Sequence, residues 1–262
     1  MSDLSRQLEE GVRNGLLASS LENIRVLLDG HPQEFEKASI AELAAAGDWA
    51  ELNNRFFRTL AFGTGGLRGK TIGAVVTAAE RGTPQALDRP EFPCTGTNAM
   101  NYYNISRATQ GLVAYVKQWA EREKLPHRPR ICISYDTRYF SRQFADLAAK
   151  VITELGCDAL VFAEPRPTPE LSFAVRQMGA TAGINITASH NPPAYNGYKV
   201  YFEDGGQVIE PHASEIIARV NAVTSAHYEP LPTADQGKRE SLGVEMDDAY
   251  LDRLERVVLD PE

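Results

Sequence analysis

The feature that most constrains the fold is a regular alternation of apolar runs and amphipathic segments in the middle of the chain. Short apolar runs, typical of buried strands, occur at Arg130–Tyr135, Asp158–Ala163 and Thr181–Ala188. Between them lie two segments with apolar residues at helical spacing, each followed by a glycine, Ser141–Leu155 and Thr168–Met178. A β-α-β-α-β order indicates a mixed, largely parallel sheet sandwiched by helices, so the sequence predicts an α/β fold.

The segments around this alternation suggest three parts. Residues 1–60 have apolar positions every three or four residues, which predicts a helical N-terminal extension without chemistry of its own. Residues 61–235 form the predicted main domain. Residues 236–262 are predicted to be a linker and the beginning of a second domain, because the polar stretch Thr224–Gly243 precedes a helical pattern that starts at Asp247.

Within the main domain the local patterns differ in character. The glycine-rich segment Phe62–Gly69 is predicted to be a loop, and Thr71–Thr77 a short strand. Ala78–Thr97 contains three prolines and scattered charge, which indicates a surface insertion. Amphipathic or apolar patterns predict further elements, namely helices at Ser106–Lys124 and Pro211–Val223 and strands at Tyr198–Phe202 and Gln207–Ile209.

Charge and cysteine content exclude some classes of partner. The chain has 262 residues and a formal net charge of −8, which argues against a general nucleic-acid or membrane-surface binder. It contains neither an apolar run long enough to span a bilayer nor a signal-peptide pattern at its start. The three cysteines are odd in number and widely spaced, so we expect reduced, structural thiols in a cytoplasmic protein.

The end of the third predicted strand carries the residues most suggestive of chemistry. The apolar run stops at Ser189, and His190, Asn191 and two prolines follow. Proline fixes φ and removes a backbone donor, so the loop is stiff and holds the serine hydroxyl in one place at the rim of the sheet, where ligands gather in such folds. A simple turn that ends the strand is the alternative interpretation of the same four residues.

The following residues add a cation to this loop. Asn196-Gly197 is predicted to be a tight turn that folds the next strand back beside Ser189. Alternation places Lys199 on the opposite face from Tyr198 and Val200. An ammonium near a serine hydroxyl and a histidine is suited to binding phosphate or to assisting proton transfer.

These motifs resemble a known enzyme family. The run Thr187–Pro192 (TASHNP), followed by Asn196–Lys199 (NGYK), resembles the phosphoserine loop of the α-D-phosphohexomutase superfamily, which includes phosphoglucomutases, phosphomannomutases and phosphopentomutases. Phe62–Gly69 (FGTGGLRG) is similar to the first active-site segment of that family. Three further segments match in order between the two, Asn98–Asn101, Thr109–Gly111 and Tyr135–Arg138. The resemblance extends from about Phe62 to Val223 and implies the fold of the first mutase domain.

The resemblance implies that Ser189 carries the transferable phosphate. It further implies a Mg²⁺-dependent exchange in which phosphoserine converts a hexose phosphate, with glucose the first expectation, to a hexose 1,6-bisphosphate that returns its other phosphate to the serine. Arg68 and Lys199 would then neutralise the phosphate, and Lys199 could instead act as a base. His190 would steer the phosphate or relay protons, unless it only packs within the turn.

Further residues enter through the same resemblance. Asn191 would orient the loop, and Thr64 and Gly65 would let backbone approach the phosphate closely, together with the neighbouring glycines. Arg138 would reach the same pocket, although capping a helix or pairing with Asp136 is an equal alternative.

The sequence also departs from the family in two ways. The alternating aspartates of the family's metal site are missing, so the only metal ligand expected here is Ser189 through its phosphate. Ala99 stands where many family members carry arginine, which leaves one cationic contact in doubt. We therefore expect the remaining mutase domains to lie C-terminal to Glu262, and these 262 residues alone not to turn over substrate.

Other functions fit the sequence less well. Mannose and pentose phosphates remain alternative substrates, because no sugar-selecting segment is recognisable. A non-catalytic phosphoprotein or binding module is the alternative from another class. A dinucleotide-binding domain is disfavoured, because no Gly-x-Gly-x-x-Gly motif joins a strand to a helix.

Overall fold

The computed structural model describes residues 3–63, 65–83 and 85–259. Four helices come first, α1 (Asp3–Arg13), α2 (Ala18–Asp29), α3 (Glu34–Ala45) and α4 (Trp49–Phe56). The remaining helices are α5 (Ala78–Arg81), α6 (Tyr102–Arg122), α7 (Ser141–Glu154), α8 (Thr168–Gln177), α9 (His212–Ala222) and α10 (Val244–Glu255). The strands are β1 (Gly66–Lys70), β2 (Arg130–Tyr135), β3 (Asp158–Phe162), β4 (Ala182–Ile186), β5 (Tyr195–Phe202) and β6 (Arg239–Leu242). Two short 3₁₀ turns lie at Ala86–Asp88 and Thr233–Asp235.

The strands form one six-stranded sheet in the order β1-β5-β4-β2-β3-β6. The pairs β4–β2, β2–β3 and β3–β6 are parallel, whereas β1–β5 and β5–β4 are antiparallel. The mixed, largely parallel sheet predicted from the alternation is therefore confirmed, and the helices between the parallel strands were predicted to within one or two residues.

Helices cover both faces of the sheet because successive side chains of each strand point to opposite faces. Ile131 and Ile133 of β2 belong to the larger core, under α6, α7 and α9. Cys132, which lies between them, belongs to a smaller core under α8 and α10. A strand that is buried on both faces explains why this part of the sequence is continuously apolar.

The N-terminal extension is helical, as predicted, and has its own small core. Helices α1 to α4 bury apolar side chains that include Ile24, Ile40 and Leu52, and Tyr103 of α6 joins this cluster. A buried ion-pair network also ties the extension to the rest of the chain. Arg55 of α4 contacts the carboxylate of Glu80 at 2.5 Å, and both side chains are only 2% exposed.

The segment predicted to be a surface insertion, Ala78–Thr97, is partly interior. Its short helix α5 carries Glu80, which accepts hydrogen bonds from the backbone N–H groups of Thr77 and Thr95 as well as from Arg55. Cys94 to Thr97 are buried beside α4. The prediction was wrong because prolines and charges signal irregular backbone, whereas burial here comes from an ionic contact with a distant helix.

The first strand also lies elsewhere than predicted. Gly66–Lys70 pairs with β5, while Thr71–Thr77, predicted to be a strand, is irregular. Half of the predicted loop Phe62–Gly69 is therefore a strand. Its two glycines hide the alternation, in which Leu67 and Gly69 are buried and Arg68 and Lys70 are exposed.

Two further predictions near the sheet's edges were wrong. Gln207–Ile209 does not form a strand and makes only a single bridge, from Gln207 to Tyr201. The predicted linker Thr224–Gly243 contains β6, which pairs with β3 through backbone hydrogen bonds although three of its four side chains are exposed. Edge strands with polar side chains carry little pattern in the sequence.

No helix in the described ranges is both long enough and apolar enough to cross a bilayer.

Candidate functional site

The predicted site lies where the chain direction across the sheet reverses. After β2 the chain passes to β3 on one side, and it then returns to β4 on the other side of β2. The carboxyl ends of β2 and β4 are therefore neighbours, and α7 and α8, which follow β2 and β3, pack on opposite faces of the sheet. Such a switch point leaves a crevice in which ligands bind. The loops after these two ends carry Asp136 to Arg138 and Ser189 to Asn191.

Ser189 is exposed and has an unusual backbone conformation. Its φ is +56°, in the left-handed region that costs a non-glycine residue about 1–3 kcal/mol unless the surroundings hold it. Its N–H donates to Thr187 Oγ1 at 2.9 Å. Its Oγ lies 3.3 Å from His190 Nδ1. The hydroxyl is therefore presented to solvent, with one imidazole nitrogen within weak hydrogen-bonding distance.

Arg138 holds the serine loop by its backbone. Nη1 donates to the carbonyls of Pro192 at 2.9 Å and Tyr195 at 3.1 Å. Nη2 donates to the carbonyls of Ser189, at 2.5 Å, and Asn191. All four Nη hydrogens are thus committed to the loop, and Nε lies 3.5 Å from Asp136 Oδ2. Arg138 therefore reaches the serine loop and pairs with Asp136, and its Nη donors point at backbone carbonyls.

Asn196, at the start of β5, contacts the neighbouring loop after β2 from inside the protein. Its amide nitrogen donates at 2.9 Å to both the carbonyl of Tyr139 and the hydroxyl of Ser141. Ser141 Oγ in turn donates to Asp136 Oδ1 at 2.6 Å. Asn191 closes the first turn of the serine loop, because its side chain and its backbone N–H both donate to the carbonyl of Ala188.

The prediction that Asn196-Gly197 forms a tight turn was wrong. Both residues lie within β5, and the turn occurs earlier, between Ser189 and Ala194. Asn196 is buried and hydrogen-bonded, and a Cβ on Gly197 would lie 2.6 Å from the carbonyl oxygen of Thr187. The glycine is needed because β5 runs close between its two neighbours.

The predicted cations lie on one face of the sheet at its rim. Lys199 pairs with Gly66 on one side and with Asn185 on the other, and Arg68 pairs with Gly197. Arg68 and Lys199 line a cleft of about 250 Å³, together with Gly65, Gly66, Leu67, Thr187 and Gln207. Tyr198 and Val200 point to the opposite face and are fully buried, as the alternation predicted. Within the described residues neither Arg68 nor Lys199 forms an ion pair.

The two glycines after position 64 allow the chain to pack closely against β5. Gly65 and Gly66 have φ values of +92° and +140°. A Cβ on Gly66 would lie 1.8 Å from the carbonyl oxygen of Tyr198. The carbonyl of Gly65 accepts the N–H of Val200 at 3.1 Å. Thr64 itself lies outside the described residues.

The predicted residues form two adjoining groups. Ser189 lines an opening of about 420 Å³ with Asp136 to Tyr139, Pro193 and Leu87, whereas Lys199 and Arg68 line the 250 Å³ cleft. Thr187 connects the two groups, because it lines the cleft and holds the N–H of Ser189. Sequence reasoning missed this role of Thr187 and the loop contacts of Asn196. The available signal was the threonine two residues before Ser189, because Ser and Thr hydroxyls often hydrogen-bond a nearby backbone N–H.

The described residues do not fit a complete metal site. They contain no group of three or more His, Cys, Asp or Glu side chains placed to hold an ion. Mg²⁺ requires several oxygen ligands, and a phosphate on Ser189 would supply only part of such a set.

The cysteines lie away from this chemistry. All three are free and buried, and burial raises the pKa of each thiol, Cys94, Cys132 and Cys157, to about 12. Protonated, inaccessible thiols of this kind are inert, which agrees with the structural role expected for them.

Comparison with known proteins supports the family resemblance found in the sequence. A family model described as phosphoglucomutase/phosphomannomutase, alpha/beta/alpha domain I, matches residues 94–227, just over half of the chain. A solved structure described as a putative phosphomannomutase from Thermus thermophilus has a TM-score of 0.56 and 25% identity, and covers 77% of this chain and 36% of its own.

Curated relatives carry three different activity names. A phosphoglucomutase of Staphylococcus haemolyticus is 36% identical over 63% of this chain and 25% of its own length. A probable phosphomannomutase of Haemophilus influenzae is 34% identical over 62% of this chain and 32% of its own. A phosphopentomutase of Mus musculus is 34% identical over 75% of this chain and 28% of its own. The chain spans no more than about a third of these relatives, and it belongs to the phosphoglucomutase/phosphomannomutase family.

Proposed function

We propose that this protein is part of a phosphosugar mutase that interconverts hexose 1-phosphate and hexose 6-phosphate through a phosphoserine at Ser189. The observation that carries the proposal is the presentation of the Ser189 hydroxyl. It is exposed on a loop whose backbone is held in a left-handed conformation by Arg138 and Thr187. A turn that only ended the strand would have no need for an arginine with four donors on its carbonyls.

The proposed reaction consists of two phosphoryl transfers. A sugar hydroxyl attacks the phosphorus of the phosphoserine, the P–Oγ bond breaks, and the product is a sugar bisphosphate with the serine oxygen set free. In the second transfer Ser189 Oγ attacks the other phosphate of the bisphosphate, which restores phosphoserine and releases the isomeric monophosphate. Both transfers need positive groups around the phosphoryl oxygens, because their charge must be neutralised in the transition state.

The residues of the site have separate roles in this proposal. Lys199 and Arg68, in the cleft beside the loop, would neutralise the phosphate. His190, whose Nδ1 lies 3.3 Å from Ser189 Oγ, would pass a proton to or from that oxygen. Thr64 and Gly65 belong to the proposal as phosphate-binding residues through the family resemblance. Arg138 and Asn191 are assigned to positioning the loop, since their donors are bound to its backbone.

Glucose phosphates are the proposed substrates, with mannose and pentose phosphates as alternatives. The relatives named for these three sugars are 34–36% identical to the chain, so identity does not select among them. Mg²⁺ and a hexose 1,6-bisphosphate activator belong to the proposal through the family resemblance. Turnover is proposed for the protein together with the domains that the relatives carry outside the matched region, and a cytoplasmic location accompanies it.

The test is a kinetic comparison of the complete gene product with its Ser189→Ala variant on glucose, mannose and ribose phosphates. We expect one sugar to be preferred and the variant to lose turnover by at least about 10³-fold, because no other group stores the phosphate. Cys157→Ser is the matched control and should retain activity. Turnover that survives Ser189→Ala would refute the proposal, and a complete gene product inactive on every sugar phosphate would favour a non-catalytic phosphoprotein.

A further inference from the structure

A second cavity, separate from Ser189, lies between the helical extension and the edge of the sheet. It has a volume of about 340 Å³ and lies between α4, β1 and the segment around Asn98. Four cations line it, namely Arg55 of α4, which is paired with Glu51 and Glu80, Arg58 just after α4, and Arg68 and Lys70 on β1. The side chain of Ala99 also lines it and is too small to fill it.

The charge in this cavity is not balanced by the protein. Within residues 3–63, 65–83 and 85–259, Arg58, Arg68 and Lys70 form no ion pair. Glu51 is the one acidic residue in the lining, and its carboxylate is already bound to Arg55 Nε at 2.8 Å. Like charges that share a cavity repel one another, so an anion that enters gains the favourable energy of all three.

The strand backbone positions Arg68 and Lys70, and a hydrogen bond to Asn98 positions Arg58. Alternation along β1 puts Arg68 and Lys70 on the same side of the strand, roughly 7 Å apart along it. Arg58 Nε donates to Asn98 Oδ1 at 3.1 Å, while Asn98 Nδ2 donates to the carbonyl of Asn54 at 3.1 Å. The backbone N–H of Asn98 is bound to the carbonyl of Arg55 at 2.9 Å. Among the hydrogen bonds of the described residues, Arg58 uses only Nε, which leaves its terminal nitrogens available to a ligand.

We propose that this cavity is a second phosphate-binding site, which takes a dianionic phosphate group. Planar guanidinium forks and a lysine are the groups that bind phosphate monoesters, and the Asn98 side chain orients Arg58 among them. Arg68 lines both this cavity and the cleft that contains Lys199, so the two sites share one wall. The phosphate group is either that of a free anion or the second phosphate of a sugar bisphosphate that spans both sites. The proposal does not depend on phosphoryl transfer by Ser189.

The test is calorimetric titration of the 262-residue chain with inorganic phosphate and with glucose 1,6-bisphosphate. A Lys199→Gln background weakens the neighbouring cleft and isolates the cavity. In that background Arg58→Gln and Lys70→Gln should each weaken phosphate binding about tenfold, the worth of one charge-assisted hydrogen bond. Arg25→Gln, which removes an exposed arginine of α2 paired with Glu9, is the matched control and should change affinity less than twofold.

The outcomes separate the sources of the phosphate. Glucose 1,6-bisphosphate spans both sites if it binds the unmodified chain more than tenfold more tightly than inorganic phosphate does. This difference in affinity should then disappear with either Arg58→Gln or Lys199→Gln. Similar affinities for both ligands, sensitive to Arg58 and Lys70 alone, identify a free anion. Binding that is abolished by Lys199→Gln and unchanged by Arg58→Gln and Lys70→Gln, or no saturable binding at all, would overturn the proposal. Each variant's urea unfolding midpoint shows that it is folded.

Discussion

Replacement of Arg138 by lysine tests whether the serine loop depends on a side-chain clamp. The arginine makes four hydrogen bonds to loop carbonyls, and its side chain is only 13% exposed. A lysine keeps the charge but has one nitrogen, which can reach about two of the four carbonyls. With a net value of about 1 kcal/mol for each lost bond, Arg138→Lys should destabilise the closed loop by about 2 kcal/mol. That energy corresponds to a roughly 30-fold increase in loop opening.

Hydrogen exchange followed by mass spectrometry measures this opening directly. The reporters are the amides of Ser189, Asn191 and Tyr195, which are bonded within the loop or to Thr187. Their exchange should accelerate about 30-fold in the variant, while β2 and β3 exchange as before. The control is Arg122→Lys, which alters an exposed arginine on α6. A change below threefold in the Ser189 peptide would refute the inference that Arg138 holds the loop.

Three further changes test other parts of the structure. Glu80→Gln should lower the free energy of unfolding by about 3 kcal/mol in urea titrations, because the buried Arg55 loses a charged partner, and a loss below 1 kcal/mol would contradict this. Gly66→Ala should cost at least about 2 kcal/mol, because the new Cβ would meet the backbone of Tyr198, and an unchanged thermal midpoint would argue against the close approach. Burial, with a hydrogen bond to Asp247, raises the pKa of Glu170 from 4.5 to about 7. The folded state thus holds this proton more tightly, so stability should fall as pH rises from 4.5 to 7, and Glu170→Gln should flatten that slope; an unchanged slope would refute the assignment.

The central fold was predictable because its signals are local. Strands β2, β3 and β4 are apolar on both faces, and glycines end the helices between them. Both the hydrophobic pattern of each element and the residues that end it therefore appear in the sequence. The edges were not predictable for the opposite reason. In β1 glycine replaces apolar residues that would reveal the alternation of a strand, and the residues of β6 are mostly polar. Both segments form strands because a neighbouring strand offers backbone hydrogen-bond partners.

The placement of the candidate residues at strand ends and on strand faces was predicted better than their local geometry. The loop motif identified Ser189, and strand alternation placed Lys199 on the outward face. The left-handed backbone of Ser189 and the four carbonyl contacts of Arg138 depend on two strand ends that are about fifty residues apart in the chain and adjacent in the sheet. Contacts of this kind have no spacing rule in the sequence. The turn predicted at Asn196-Gly197 was wrong because this pair usually marks a hairpin turn, whereas here it is buried within β5 between two strands.

Site-resolved mass spectrometry after incubation of the complete gene product with a hexose 1,6-bisphosphate tests the central claim most directly. The account predicts one added phosphoryl group, on the peptide that contains Ser189, with fragment ions that place it on that hydroxyl and no label in the Ser189→Ala variant. Label on another residue, or an unlabelled protein at saturating bisphosphate, would contradict it.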